Sequence, residues 1–140
     1  MTLKASELNV GDTYCEEVCS NLSRTQIVQY AGASGDYNPV HTDQLYTSEI
    51  AGYPSVFAHG MLSMGLTGKM LTNYVGDSRL KAFGVRFTSQ VFPGATLTAT
   101  ATVSDIREDN GQQIVDLEVS TVDQEGIEVV KGTASAVVDA

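Results

Sequence analysis

The sequence of 140 residues has no tryptophan, only 3 prolines and 2 cysteines, and few basic residues. Lys and Arg number 8 against 17 Asp and Glu, which gives a formal net charge of -9. This balance argues against nucleic-acid binding, because a surface that binds nucleic acid is basic. The sequence also lacks the apolar run of roughly 18 residues that a membrane helix needs, and its start lacks the apolar core of a signal peptide. We therefore expect a cytoplasmic protein that binds neither membranes nor nucleic acid.

The two cysteines, Cys15 and Cys19, have no histidine near them in the sequence. A zinc site there would lack ligands, and a disulfide would be unusual in a reducing compartment. We interpret both as ordinary strand or loop residues. The length is typical of one domain, and 42% hydrophobic residues can form a sizeable core, so we expect residues 1–140 to form a single domain.

The C-terminal half alternates apolar and polar residues at period two, which is typical of strands with one buried face. The pattern is clearest over 96–103, and it recurs in 83–87, 115–120 and 130–138. Turn sequences separate the later runs, at Asn110-Gly111 and over 123–126. The pattern predicts an antiparallel meander of about four strands.

The N-terminal half is predicted to be helical and irregular. Ser23 followed by Gln26 forms a capping-box pattern, Gly35 is a stop signal, and a short helix is expected over 43–50. The segment from Gly60 to about residue 74 is apolar on nearly all sides, so we expect it to be a helix that is buried on nearly all sides. Its glycines suggest a close approach of the sheet. The predicted fold is α+β: a hot-dog fold, with an antiparallel sheet wrapped around a long central helix.

One polar segment can carry acid–base chemistry. Asp36 and His41 are five residues apart, so they lie within about 17 Å of each other even in an extended chain, and Pro39 favours a bend. An imidazole exchanges protons near neutral pH, and a carboxylate can hold its tautomer or share a water molecule. The alternative is a turn in which the aspartate caps a helix and the histidine faces solvent.

A second segment, centred on His59-Gly60, precedes the apolar helix. Gly60 is predicted to begin that helix, where backbone N–H groups are unpaired, so its N–H could stabilise an oxyanion. Two interpretations remain open for His59: it takes part directly in the reaction, or it forms hydrogen bonds to backbone groups at the helix start.

Other chemistries find little support. Ser34 and Ser63 lack the sequence context of a nucleophile elbow, and no phosphate-binding glycine loop is present. A metal site would require Asp36, Asp43 and the two histidines to cluster, and their spacing gives no reason to expect it. We therefore predict no metal and no cofactor.

Four of the eight basic residues fall within 18 residues of the chain: Lys69, Arg79, Lys81 and Arg86. A local positive patch on an acidic protein could hold a phosphate group. The alternative is that these are scattered solubilising charges.

These segments resemble the MaoC-like dehydratases, which include the (R)-specific enoyl-CoA hydratases. The hydratase motif Ala-x-x-Ser-Gly-Asp-x-Asn-Pro-x-His-x-Asp matches residues 31–43, and the element His-Gly-Met-Leu matches residues 59–62. Phe87 and the Val-Phe-Pro-Gly stretch 91–94 are also similar to the family strand that follows the central helix. Within the family, the single-domain length and residues 58–65 are most similar to the catalytic B subunits of mycobacterial (3R)-hydroxyacyl-acyl-carrier-protein dehydratases.

The resemblance implies reversible hydration of a trans-2-enoyl thioester, carried by CoA or acyl-carrier protein, to the (3R)-3-hydroxyacyl thioester in fatty-acid metabolism. It implies that Asp36 and His41 activate the water, that the Gly60 amide meets the thioester oxygen, and that Asn38, with His59 in support, fixes the site. A serine that some relatives carry later on the helix is missing, since 65–68 offers only Gly65, Thr67 and Gly68 as candidates. A single hot dog is expected to pair with a second one, as a homodimer or heterodimer. The alternatives are a hot-dog thioesterase and a non-catalytic subunit of a dehydratase heterodimer.

Overall fold

The computed structural model describes residues 2–140. A single turn of 3-10 helix at Ala5–Glu7 precedes the first strand. The regular elements are strand β1 (Thr13–Cys19), helix α1 (Arg24–Ser34), a 3-10 turn (Pro39–His41), a π-helical turn (Tyr46–Ile50), helix α2 (Gly60–Val75), and strands β2 (Leu80–Phe87), β3 (Leu97–Asp109), β4 (Gln112–Val122) and β5 (Glu128–Val138).

The five strands form one antiparallel sheet in the order β1-β3-β4-β5-β2, and α2 packs against it. The core joins Met70, Leu71 and Val75 of α2 to the apolar residues that alternate along the central strands. A sheet wrapped around one long helix is the predicted hot-dog fold, which is confirmed.

The strand predictions hold in number but not wholly in order. Strands β3, β4 and β5 form the expected meander, and Asn110 and Gly111 both adopt positive φ in the first turn. However, β2 pairs with β5 rather than with β3. Strand β1 was not predicted in the N-terminal half. Its alternation is weak, because it lies at the sheet edge and carries Glu16 and Glu17.

The expectation that α2 is buried on nearly all sides is wrong for one stripe of the helix. Met61, Gly65, Lys69 and Asn73 follow each other at four-residue spacing, and all four are exposed. The sheet covers the opposite face, so residues at this spacing stay outside the core. Close approach explains Gly68, where an added Cβ would lie 3.3 Å from the Phe83 ring, but a Cβ at Gly65 would meet nothing within 4 Å.

Helix α1 begins and ends where the sequence predicts. The Ser23 hydroxyl accepts from the Gln26 N–H, and the Gln26 side chain accepts from the Ser23 N–H, which forms the capping box. Gly35 ends the helix in the left-handed region, with φ 75°. The chain direction therefore changes directly before Asp36.

We predict that Gly132→Ala in β5 destabilises the fold, because the new Cβ would overlap the carbonyl oxygen of Gly84 in β2. The free energy of unfolding should fall by about 2 kcal/mol or more, as in other overpacked positions. Urea unfolding followed by circular dichroism measures this. Gly32→Ala, in the exposed middle of α1 where a Cβ meets nothing, is the matched control and should raise stability by about 1 kcal/mol. A Gly132→Ala protein as stable as the wild type would contradict the prediction.

Candidate active site

The loop after α1 folds back on itself through hydrogen bonds between residues two apart in the sequence. The Asp36 carboxylate accepts from the Asn38 N–H at 3.2 Å, and the Asn38 side-chain oxygen accepts from the Val40 N–H at 3.2 Å. Pro39 then begins the 3-10 turn that ends at His41. As a result, His41 Nε2 lies 3.8 Å from Asp36 Oδ2. The structure thus brings the two residues together, and Asn38 shapes the loop between them.

The hydrogen bond at the other ring nitrogen sets the tautomer of His41. Its Nδ1 lies 2.7 Å from the carbonyl oxygen of Phe57, and a carbonyl can only accept. Nδ1 therefore carries the proton, and in the neutral ring Nε2 offers a lone pair toward Asp36. The His41 residue is 8% exposed, whereas the Asp36 side chain is 53% exposed. The pair thus joins a buried acceptor to a carboxylate that solvent reaches.

His59 connects the loop to the start of α2. Its Nε2 donates to the backbone oxygen of Asp36 at 3.0 Å, and its ring stacks on His41 with centroids 3.8 Å apart and planes at 23°. The Tyr30 ring meets it edge-on. The backbone group that His59 satisfies therefore belongs to the Asp36 loop and not to the helix start. Its Nδ1 is buried and has no hydrogen-bond partner among residues 2–140.

Gly60 is the first residue of α2, directly after His59. Within the described chain its N–H donates no hydrogen bond, as expected for the first residue of a helix. An added Cβ would lie 2.9 Å from the Phe87 ring, so the ring packs against this glycine. The glycine borders a pocket of about 280 Å³. The pocket is lined by Phe57, Ala58, Gly60, Ser63, Phe87, Thr88, Ser89, Gln90, Val91 and Val129.

Sequence reasoning missed the position of Ser63. This serine lines the same pocket as Gly60 and is only 3% exposed. The available signal was its spacing, because residues three apart share one face of a helix. Asp36 and His41 do not line the pocket, but Phe57 adjoins both regions, since it accepts the His41 hydrogen bond and belongs to the lining.

The sequence gives no reason to expect Asp36, Asp43 and the two histidines to cluster as metal ligands. That expectation is wrong for three of these four residues. Ligand-capable atoms of Asp36, His41 and His59 lie within 4.8 Å of one another, whereas Asp43 accepts from the Tyr46 N–H at the next turn. An imidazole nitrogen directs its lone pair in the plane of its ring, so two stacked rings direct theirs side by side rather than at one point. The absence of a metal or cofactor stays a prediction.

The four basic residues differ in their surroundings. Arg79 forms an ion pair with Asp139 at 2.9 Å. Lys69 lies on the exposed stripe of α2, and Lys81 is exposed on β2. Arg86 stands opposite Lys131 in the pairing of β2 with β5, and Lys131 is a cation that the sequence analysis did not single out. A phosphate-binding role for these residues stays a prediction.

Comparisons with known proteins match this chain to one protein family and to longer relatives. The family described as "MaoC like domain" matches residues 6–126. The 3-hydroxyacyl-thioester dehydratase Y of Mycobacterium tuberculosis is 37% identical over 68 residues, which are 46% of this chain and 23% of that protein. The peroxisomal enoyl-CoA hydratase 2 of Arabidopsis thaliana is 35% identical over 98 residues, which are 68% of this chain and 30% of that protein. The chain thus spans less than a third of the length of these two relatives.

A solved structure matches over nearly the whole chain. The unliganded R-hydratase PhaJ1 of Pseudomonas aeruginosa has a TM-score of 0.85 and 27% identity, and the match covers 99% of this chain and 86% of that one. Among residues 2–140, no helix is both long and apolar enough to span a membrane.

We predict that His59→Phe loosens the loop 36–41, because a phenyl ring can keep the stack on His41 but cannot donate to the Asp36 oxygen. Loss of one hydrogen bond of ordinary strength should speed amide exchange in the loop about 10-fold. Hydrogen exchange at Val40 and His41 measures this, since both amides bond to Asn38. His59→Gln, whose amide nitrogen can occupy the place of Nε2, should exchange like the wild type. Unchanged protection in His59→Phe would show that this hydrogen bond does not hold the loop.

Proposed function

Because this chain belongs to the MaoC-like domain family, we propose that it reversibly hydrates a trans-2-enoyl thioester to the (3R)-3-hydroxyacyl thioester, with CoA or acyl-carrier protein as the carrier, in fatty-acid metabolism. The observation that carries the proposal is the pair of Asp36 and His41. Both residues offer an acceptor atom toward the same gap, and a histidine with a fixed tautomer borders it on the buried side.

The width of the gap suits one water molecule. The distance of 3.8 Å between His41 Nε2 and Asp36 Oδ2 is too long for a direct hydrogen bond. A water molecule about 2.8 Å from each atom would donate one hydrogen to each, with each hydrogen bond bent by only about 10°. The carboxylate then orients the water, and the imidazole is in place to take its proton.

The reaction follows from this placement. As the water oxygen bonds to C3, one of its protons passes to His41 Nε2, and the electrons of the C2–C3 double bond move to the thioester oxygen. The resulting enolate takes a proton at C2 from the imidazolium, which restores neutral His41 and completes the addition of one water molecule. Proton acceptance and return by one group place the new C–O and C–H bonds on the same side of the substrate.

The enolate needs a donor at its oxygen, and the Gly60 N–H is unpaired at the positive end of α2. Asn38 holds the shape of the loop, and His59 ties it to the helix that carries this donor. We assign both of them positioning roles. Lys69, Lys81 and Arg86 remain available for a phosphate of the carrier, whereas the charge of Arg79 is already paired with Asp139.

We predict that Asp36→Asn lowers kcat for hydration by at least about 100-fold, the usual size of a lost acid–base contribution. The amide can still accept from the Asn38 N–H, so the loop should keep its shape while the charge is lost. His41→Ala should lose at least as much. The loss of enoyl absorbance is measured on enoyl-CoA substrates, together with the release of free thiol.

Asp43→Asn is the matched control, because it keeps an acceptor for the Tyr46 N–H outside the site. Its rate should equal that of the wild type. Near-normal hydration by folded Asp36→Asn or His41→Ala would remove the assignment of that residue. Thiol release without loss of the double bond would favour a thioesterase, and absence of both activities would favour a non-catalytic subunit.

The same proposal includes pairing with a second hot-dog subunit, either a copy of this chain or a related one. Strands β1 and β2 both end the sheet, so each has one edge without a strand partner in residues 2–140. Strand β2 is the better edge for pairing, because β1 carries two adjacent glutamates, whose charges oppose the approach of a second strand. Phe87 at the end of β2 is 50% exposed, and Met61 of α2 is 55% exposed. A partner would cover both.

We predict that the purified chain has about twice the mass of 14.9 kDa in light scattering, or forms a heterodimer of similar mass with a related subunit. Pairing would remove the unpaired strand edge and the exposed aromatic ring from water. The measurement is made at micromolar concentration, with activity followed in the same fractions. An active monomer at that concentration would contradict this part of the proposal.

A further inference from the structure

Ser63 of α2 is a buried residue whose hydroxyl lines the pocket and forms no hydrogen bond within residues 2–140. Five other helical hydroxyls donate to a carbonyl three or four residues back: those of Ser34, Thr47, Ser48, Thr67 and Thr72. Ser63 is 3% exposed, and its hydroxyl forms no hydrogen bond within residues 2–140. His59 Nδ1 is the one fully buried side-chain atom without a partner in residues 2–140, so the Ser63 oxygen is not sealed in the core but is reachable from the pocket that this residue lines.

The neighbours of Ser63 on the same helix face are already satisfied. The Thr67 hydroxyl donates to the Ser63 backbone oxygen and lies 2.7 Å from the Thr121 hydroxyl. Ser63 is therefore the hydroxyl on this face of α2 that is free to contact a bound molecule.

The direction of the side chain also favours the pocket. Side chains of an α-helix tilt toward its N-terminus, so the Ser63 hydroxyl leans over the first turn, where Gly60 lies. Both residues line the same pocket. A hydroxyl and a backbone N–H on one turn can donate to a single oxygen atom.

We propose that the Ser63 hydroxyl donates a second hydrogen bond to the thioester carbonyl oxygen, beside the Gly60 N–H. The assignment rests on the proposed hydration of enoyl thioesters. It makes the oxyanion site a pair of donors from the first turn of α2. In the enolate the oxygen carries more charge than in the substrate, so both hydrogen bonds strengthen as the reaction proceeds.

The first test compares turnover of the wild type and four variants with trans-2-butenoyl-CoA. Ser63→Ala should lower kcat by about 100-fold with KM changed by less than about 3-fold, since one oxyanion donor is lost. Thr72→Ala, which removes a hydroxyl from α2 away from the pocket, should leave both constants unchanged. Ser63→Thr should keep far more activity than Ser63→Val, although the two side chains have nearly the same shape. Equal rates for Ser63→Thr and Ser63→Val, or a wild-type rate in Ser63→Ala, would overturn the inference and leave the proposed hydratase function intact.

The second test reads carbonyl polarisation directly. Hexadienoyl-CoA, a conjugated thioester, absorbs at longer wavelength as its carbonyl becomes more polarised, and it can be bound to the slow variant Asp36→Asn. The shift on binding should be clearly smaller in the double variant Asp36→Asn/Ser63→Ala. A shift of equal size in both proteins would overturn the assignment of Ser63. Failure of the wild type and of both variants to bind the enoyl thioester on either carrier, CoA or acyl-carrier protein, would overturn the proposed function and this inference with it.

Discussion

The packing of α2 onto the sheet is the constraint from which the site follows. Alanines stand at the positions beneath the helix in β3 and β5, namely Ala99, Ala101, Ala134 and Ala136, and all are nearly inaccessible. Small side chains let a helix lie close to a sheet, while Met70, Leu71 and Val75 fill the space above them. Because this contact fixes the C-terminal half of α2, it also fixes where the helix begins. The N–H of Gly60 and the ring of His59 are placed by a core that lies elsewhere along the helix.

A second set of contacts brings the loop 35–41 to that end of the helix. The loop 35–41 has no strand or long helix of its own, so its shape depends on side-chain hydrogen bonds between residues two apart and on contacts with the segment 57–60. Phe57 holds the His41 ring through its carbonyl, and His59 holds the Asp36 carbonyl and stacks on His41. The two sequence motifs therefore form one unit, in which the second motif sets the tautomer and position of the first. These contacts explain how a half-exposed carboxylate and a buried imidazole keep a fixed position relative to each other.

The extent to which the sequence predicted this arrangement depends on how local each signal is. The limits of α1, the meander turns and the convergence of Asp36 with His41 follow from capping, turn residues and short spacing, which act within a few residues. Strand β1 and the pairing of β2 with β5 were missed, because an edge strand carries little apolar alternation and because partner choice depends on the whole sheet. The cluster that includes His59 was missed for a similar reason: 18 residues separate it from His41, and only the fold closes that distance. The single-domain organisation and the roles of the site residues remain predictions.

Helix α2 divides into a half that stabilises the fold and a half that serves the site. Its buried residues in the C-terminal half are apolar, whereas those in the N-terminal half are Ser63 and Thr67. The three glycines at 60, 65 and 68 also lie in the first nine residues, where they lower helix propensity by about 1 kcal/mol each relative to alanine. A short isolated helix of that composition would be marginal in water, so the N-terminal half keeps its shape through contacts with Phe83, Phe87 and Thr121. Polar side chains and glycines are thus concentrated in the half of α2 where substrate is proposed to bind. They make that half less stable, and the apolar packing of the C-terminal half offsets the loss.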